Sequence, residues 1–216
     1  MDASETEPKK DPKASRMQEI LAAALEEFLQ QGFAAARLDA IAERAGIGKG
    51  TIYLYFDSKE ALFEAAVRSV ILPILEKAER SAAVPQASAA DILRTLLSTV
   101  YRELVGTERR RILRLFIGEG PRFPHLLQFY HREVIQRGMG AIRKVWAYGV
   151  ARGEFRASTS MDYPQVVIGP ALVGAIWKLL FDDFEPLDLE GLCEAHIDVM
   201  LNGLLVRDDP PDSGAS

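Results

Sequence analysis

Residues Leu38 to Phe56 read LDAIAERAGIGKGTIYLYF. Leu38, Ile41, Ala42 and Ala45 recur at three- and four-residue steps, the spacing of one apolar helical face. Gly46 interrupts that face, Ile47 is apolar, and Ile52 and Phe56 begin a second one. The pattern predicts two short helices joined by a tight turn, with Ala42 small enough for the helices to cross closely and Gly46 in a turn that needs positive φ. This is a helix-turn-helix, which sets the N-terminal end of its second helix into the DNA major groove.

The residue types at that end suit DNA. Lys49 can neutralise a phosphate, and the Thr51 and Tyr53 hydroxyls can bond phosphate or base edges. Gly48 and Gly50 remove bulk where backbone meets the duplex. Tyr53 and Tyr55 cannot both share the inward face of Ile52 and Phe56, so at least one is exposed, and a packing role for Tyr55 stays open. Arg37 before the first helix and Lys59 after the second add two phosphate candidates. An αα-corner with no DNA role shows similar Ala, Gly and Ile spacing.

The longer run GFAAARLDAIAERAGIGKGTIYLYFDSKEALF, Gly32 to Phe63, resembles the DNA-binding segment of the TetR family of bacterial transcription regulators. The resemblance implies an all-α homodimer, with an N-terminal three-helix helix-turn-helix DNA-binding domain and a larger C-terminal helical ligand-binding and dimerisation domain. Carried over by position, Lys49, Gly50, Thr51, Tyr53 and Lys59 match the family's usual DNA-contacting positions, and Tyr55 falls where a histidine or tyrosine is common. The family frequently caps the first of the two helices with Thr or Ser; here Ala36 and Arg37 stand there, so contact at that point falls to Arg37.

Outward from the motif, the 216 residues are 48% apolar and 26% charged, enough for a substantial core. Helical spacing continues through Ile20–Phe28, Leu93–Leu104, Ile112–Phe116 and Leu192–Leu204, and no stretch alternates as a strand would. Residues 1–14 and 207–216 read as disordered tails, 15–60 as the DNA-binding domain and 61–206 as the C-terminal domain. Ser81–Ser88 reads as a connection.

In the C-terminal domain Phe116, Glu119, Phe123, Phe129, Tyr130, Trp146 and Trp177 either line a pocket for a small apolar or aromatic ligand or simply fill the core. Gly118–Pro124 breaks a helix with two glycines and two prolines, as a pocket mouth, a moving connection or a plain loop. Gly169, Ala171, Gly174 and Ala175, with His196, Met200 and Gly203, mark two small-residue faces that suit a homodimer interface, with packing inside one protomer as the competing account.

Composition excludes several classes. The lone Cys193 forms no intramolecular disulfide and anchors no cysteine-pair metal site. Gly46–Thr51 lacks the spacing of a phosphate loop, no GxSxG occurs, and none of the three histidines follows a Glu at di-iron spacing. No catalytic residue, metal or cofactor is expected. With neither an apolar leader nor an uninterrupted apolar span, a cytoplasmic protein without membrane contact is expected.

Charge limits the DNA reading. The net charge is −5, and from residue 16 to 60 Arg16, Arg37, Arg44, Lys49 and Lys59 are outnumbered by Glu19, Glu26, Glu27, Asp39, Glu43, Asp57 and Glu60. Binding to an operator duplex then rests on a few placed contacts doubled by symmetry. A helical adaptor without a DNA role is the alternative.

Overall fold

The computed structural model describes residues 12–81 and 87–205. Most of both expected tails, and the middle of the Ser81–Ser88 connection, lie outside the described residues. Among the described residues the chain forms α1 (Pro12–Ala35), α2 (Leu38–Arg44), α3 (Lys49–Tyr53), α4 (Lys59–Ser81), α5 (Ala89–Val100), α6 (Arg111–Glu119), α7 (Pro124–Tyr130), α8 (Gln136–Ala151), α9 (Gln165–Leu180) and α10 (Leu189–Leu204). The only extended pairing among them is one isolated bridge between Phe155 and Leu205, so the fold is all-α.

Local chemistry sets the helix ends. Ser58 Oγ accepts from the Ala61 N–H at 3.0 Å and starts α4, Ser88 Oγ accepts from Asp91 at the start of α5, and Asp188 caps α10 through the Glu190 and Gly191 N–H groups. α1 already begins at Pro12, inside the stretch read as tail; proline opens a helix without losing a needed donor. Gly32 breaks α1 with φ 81°, and one further turn follows before α2.

The chain divides into two compact units. Of the described residues, the first takes those up to Ile71 together with Leu115–Leu127, and the second takes those from Leu72 to Arg114 together with those from Gln128 onward. In the first unit Phe33 and Phe63 stand edge-to-face at 5.3 Å, and Phe116 and Phe123 pack on them at 5.8 and 4.9 Å. Edge-to-face aromatic packing over such sequence distances carries no local signal.

The second unit has its own core, built from the apolar stripes of α5, α8, α9 and α10: Leu93, Leu97, Val145, Trp146, Val167, Ala171, Ile197 and Leu201 are buried in it. After α5 the helix continues through a π-turn, Tyr101–Val105, which turns Tyr101 inward; its hydroxyl meets His196 Nδ1 at 3.2 Å. A second π-turn, His131–Ile135, links α7 to α8.

Candidate nucleic-acid interface

The helix-turn-helix forms as its spacing requires. α2 buries Ile41 and Ala42, and α3 is anchored by Ile52, which is 1% exposed. Between them Gly46 takes φ 64°. Its N–H bonds the Glu43 carbonyl at 3.1 Å, and the Ile47 N–H bonds the Ala42 carbonyl at 2.9 Å, which closes a Schellman motif and satisfies the last carbonyls of α2.

No side chain of Arg37 caps α2. Its role passes to Glu27 of α1, a buried carboxylate whose Oε1 accepts from the Arg37 N–H at 3.4 Å while Oε2 stands 3.7 Å from Arg44. The negative charge lies at the α2 N-terminus, where the helix dipole favours it.

With Ile52 inward, the opposite side of α3 faces out. Gly48, Lys49 and Gly50 are exposed and Tyr53 is 52% exposed, while Thr51 and Tyr55 are half-buried, the Tyr55 ring lying 6.5 Å from that of Phe56. A Cβ at Gly50 would meet nothing within 4 Å, so no packing demand accounts for a glycine there, although glycine costs a helix interior about 1 kcal/mol relative to alanine. Close approach of another surface gives it a reason. Leu54, 83% exposed, adds an apolar side chain to the outward side that could have been read from its offset of two from Ile52.

The cations are held in specific ways. Lys49 Nζ stands 3.0 Å from Asp39, which also lies 3.9 Å from Arg37. Lys59 does not point free: its Nζ donates to the Ala34 carbonyl at 3.0 Å and lies 5.0 Å from the Phe33 ring centroid. Burial lowers its pKa, partly offset by Glu60, Glu119 and Glu27.

The seven residues offered for a ligand are divided between the two units. Phe116, Glu119 and Phe123 belong to the first unit, Phe116 and Phe123 in its aromatic cluster; Phe129 is buried, and Trp146 is buried in the core of the second unit. Burial pushes the Tyr130 hydroxyl up to about 12. Trp177 stacks edge-on with Phe181 at 5.2 Å and donates to the Glu185 carbonyl, at the far end of α9. A different feature of the second unit has ligand dimensions: a groove of about 1030 Å³ between α5 and α10, floored by Ser98, Tyr101, Cys193, Ile197 and Leu201 and edged by Arg94, Arg102, Glu190 and Glu194. None of the seven lines it.

The small-residue faces also resolve differently. Ala171, Gly174, Ala175 and His196 are buried inside the protomer; a Cβ on Gly174 would run into Leu192, so the glycine admits α10 of the same chain. Gly169 and Met200 are half-buried and Gly203 is exposed. The uncovered apolar face lies beside them, on Val166, Leu172, Val173, Leu180, Phe181 and Phe184 with Val199 of α10.

Among the described residues no helix is long and apolar enough to cross a membrane, and no group of His, Cys, Asp or Glu could hold a metal ion.

A Schellman-turned pair of short helices with an open, glycine-flanked second helix, followed by a helical unit, defines the class of helix-turn-helix proteins with an all-α C-terminal unit. Residues 20–66 match the family model of bacterial regulatory proteins of the tetR family, and residues 86–184 match that of the tetracyclin repressor-like C-terminal domain. The chain belongs to the TetR family. The HTH-type transcriptional regulator RutR of Escherichia coli (strain K12) is 45% identical over 58 residues, 27% of this chain and 27% of that protein. The match thus spans about a quarter of that relative's length. A TetR-family transcriptional regulator from Mesorhizobium loti superposes with a TM-score of 0.75 at 20% identity, covering 91% of this chain and 100% of that one. The transcriptional regulator FadR from Bacillus subtilis, solved in complex with stearoyl-CoA, superposes with a TM-score of 0.69 at 21% identity over 86% and 98%. Both likenesses establish the fold.

Proposed function

We propose that this protein is a ligand-responsive transcriptional regulator, a repressor that binds a palindromic operator as a homodimer and leaves it when a small molecule binds. The observation that carries the DNA reading is the outward side of α3, where Gly48 and Gly50 leave the backbone open between exposed Lys49 and Tyr53. Arg37, Gly48, Lys49, Gly50, Thr51, Tyr53 and Tyr55 then contact the duplex, phosphates through the cations and base edges through the hydroxyls.

The uncovered apolar face of α9 and α10 supports a two-fold homodimer. Two copies of α3 enter successive major grooves about 34–36 Å apart. The effector is a small, largely apolar or aromatic molecule taken up by the C-terminal helical unit; it acts only through a difference in affinity between DNA-competent and incompetent conformers. The protein works in the cytoplasm without catalysis. Selection of bound duplexes from a random-sequence pool tests this: the reading expects a palindrome with half-site centres about 10 base pairs apart, and recovery of no common sequence contradicts it.

A further inference from the structure

Gly32 breaks α1 with φ 81° and ψ 166°, so the turn that follows begins with N–H groups that no preceding helical turn serves. Glu119, 85 positions along the chain, supplies a partner: its Oε2 accepts from the Ala34 N–H at 3.0 Å. The carboxylate fills the space that the missing side chain of Gly32 leaves, since a Cβ there would collide with Glu119 Oε1. Lys59 takes the other polar group of the same residue, donating to the Ala34 carbonyl at 3.0 Å. Phe33, one residue earlier, is held between Phe63 at 5.3 Å and Phe123 at 4.9 Å. All of these residues lie in one compact unit.

We infer that Glu119 is a positioning residue for DNA binding: with Lys59 it clasps the N–H and C=O of Ala34 and so fixes the turn from which α2, and through it α3, departs. Leu115–Leu127 is then part of the DNA-reading head. The inference rests on the DNA-binding function proposed above.

Two signs separate this role from simple electrostatics. Removing a carboxylate from a DNA-binding unit strengthens binding when charge alone acts, whereas loss of the clasp weakens it. A lysine that neutralises a phosphate contributes about 0.9 to the salt slope, whereas a clasp lysine contributes affinity and no slope.

The test is fluorescence anisotropy of the full chain on a selected duplex at several salt concentrations, with amide exchange at Ala34 measured without DNA. Glu119→Ala is expected to lose about tenfold in affinity at unchanged slope and to speed exchange at Ala34 about tenfold. Glu119→Gln, which keeps an acceptor oxygen, recovers most of both. Lys59→Met loses affinity with the slope unchanged. Operator binding by Glu119→Ala equal to or tighter than wild type, or unchanged exchange at Ala34, overturns the inference. A slope lowered by about 0.9 per protomer in Lys59→Met returns Lys59 to the phosphates and overturns its half of the clasp. Wild-type protein that binds every duplex alike removes the DNA reading instead, and exchange at Ala34 still decides whether the clasp exists.

Discussion

Asp39 Oδ1 stands 3.0 Å from Lys49 Nζ, so in the free protein the foremost cation of α3 is already paired. The same carboxylate lies 3.9 Å from the Arg37 guanidinium. A phosphate must displace it from both. Asp39→Asn is therefore expected to tighten binding about two- to fivefold, the range of an exposed ion pair. The gain applies to operator and shuffled duplex alike, because the displaced group is read by phosphate and not by base. Anisotropy titrations of Asp39→Asn with and without Lys49→Met check it; the gain shrinks in the Lys49→Met background if the pair is its source.

Tyr53 is half-exposed and Ile52 alone anchors its helix turn, so Tyr53→Phe removes a hydroxyl without touching the core. Operator affinity should fall about fivefold, the worth of one hydrogen bond, with thermal stability unchanged. Lys49→Ala should lower the salt slope by about 0.9 per protomer. Titrations of both variants alongside thermal melts decide whether these side chains touch DNA.

Gly46 and Gly32 both hold positive φ, but their surroundings differ. Space beside Gly46 is open, so Gly46→Ala pays only the left-handed backbone cost of about 1–2 kcal/mol. Gly32→Ala pays that and also displaces Glu119. Denaturant melts should rank Gly32→Ala below Gly46→Ala in stability, and equal losses would contradict the clasp geometry.

His196 is buried against Tyr101, and burial lowers its pKa below the ordinary histidine value. The unfolded chain therefore takes up the proton first, near pH 6.5. The stabilisation from neutral His196 is fully present above that pH and is lost as pH falls from there toward the lowered folded value. Melting temperature should drop between pH 7.5 and 5.5, with a shallower drop in His196→Gln.

The exposed apolar face on α9 gives a prediction for assembly. Val173 is 60% exposed, so Val173→Glu should shift sedimentation from dimer to monomer with helicity intact. Gly174, by contrast, faces Leu192 of its own chain, and a bulky residue there should destabilise the protomer first.

The all-α fold and the positive φ of Gly46 were legible in sequence, because each is set by neighbours a few residues away. The outward side of α3 was legible in part for the same reason: Ile52 and Phe56 fix the inward face, so at least one of Tyr53 and Tyr55 had to turn out, and the structure exposes Tyr53. Glu119 and Phe123 were not, since what places them is Phe33 and Gly32, more than eighty residues earlier. Gly174 and Ala175 misled because a small residue that admits a neighbouring helix looks the same whether that helix belongs to the same chain or another. Lys59 showed its charge but not that the Ala34 carbonyl would hold it.

The outward side of α3 is expected to read a DNA sequence. Its most direct test is fluorescence anisotropy of the protein on duplexes from the DNA upstream of its own coding region, against shuffled duplexes, at two salt concentrations. Selective binding that survives the higher salt is the expected result. Equal binding to both duplexes that disappears with salt would contradict it.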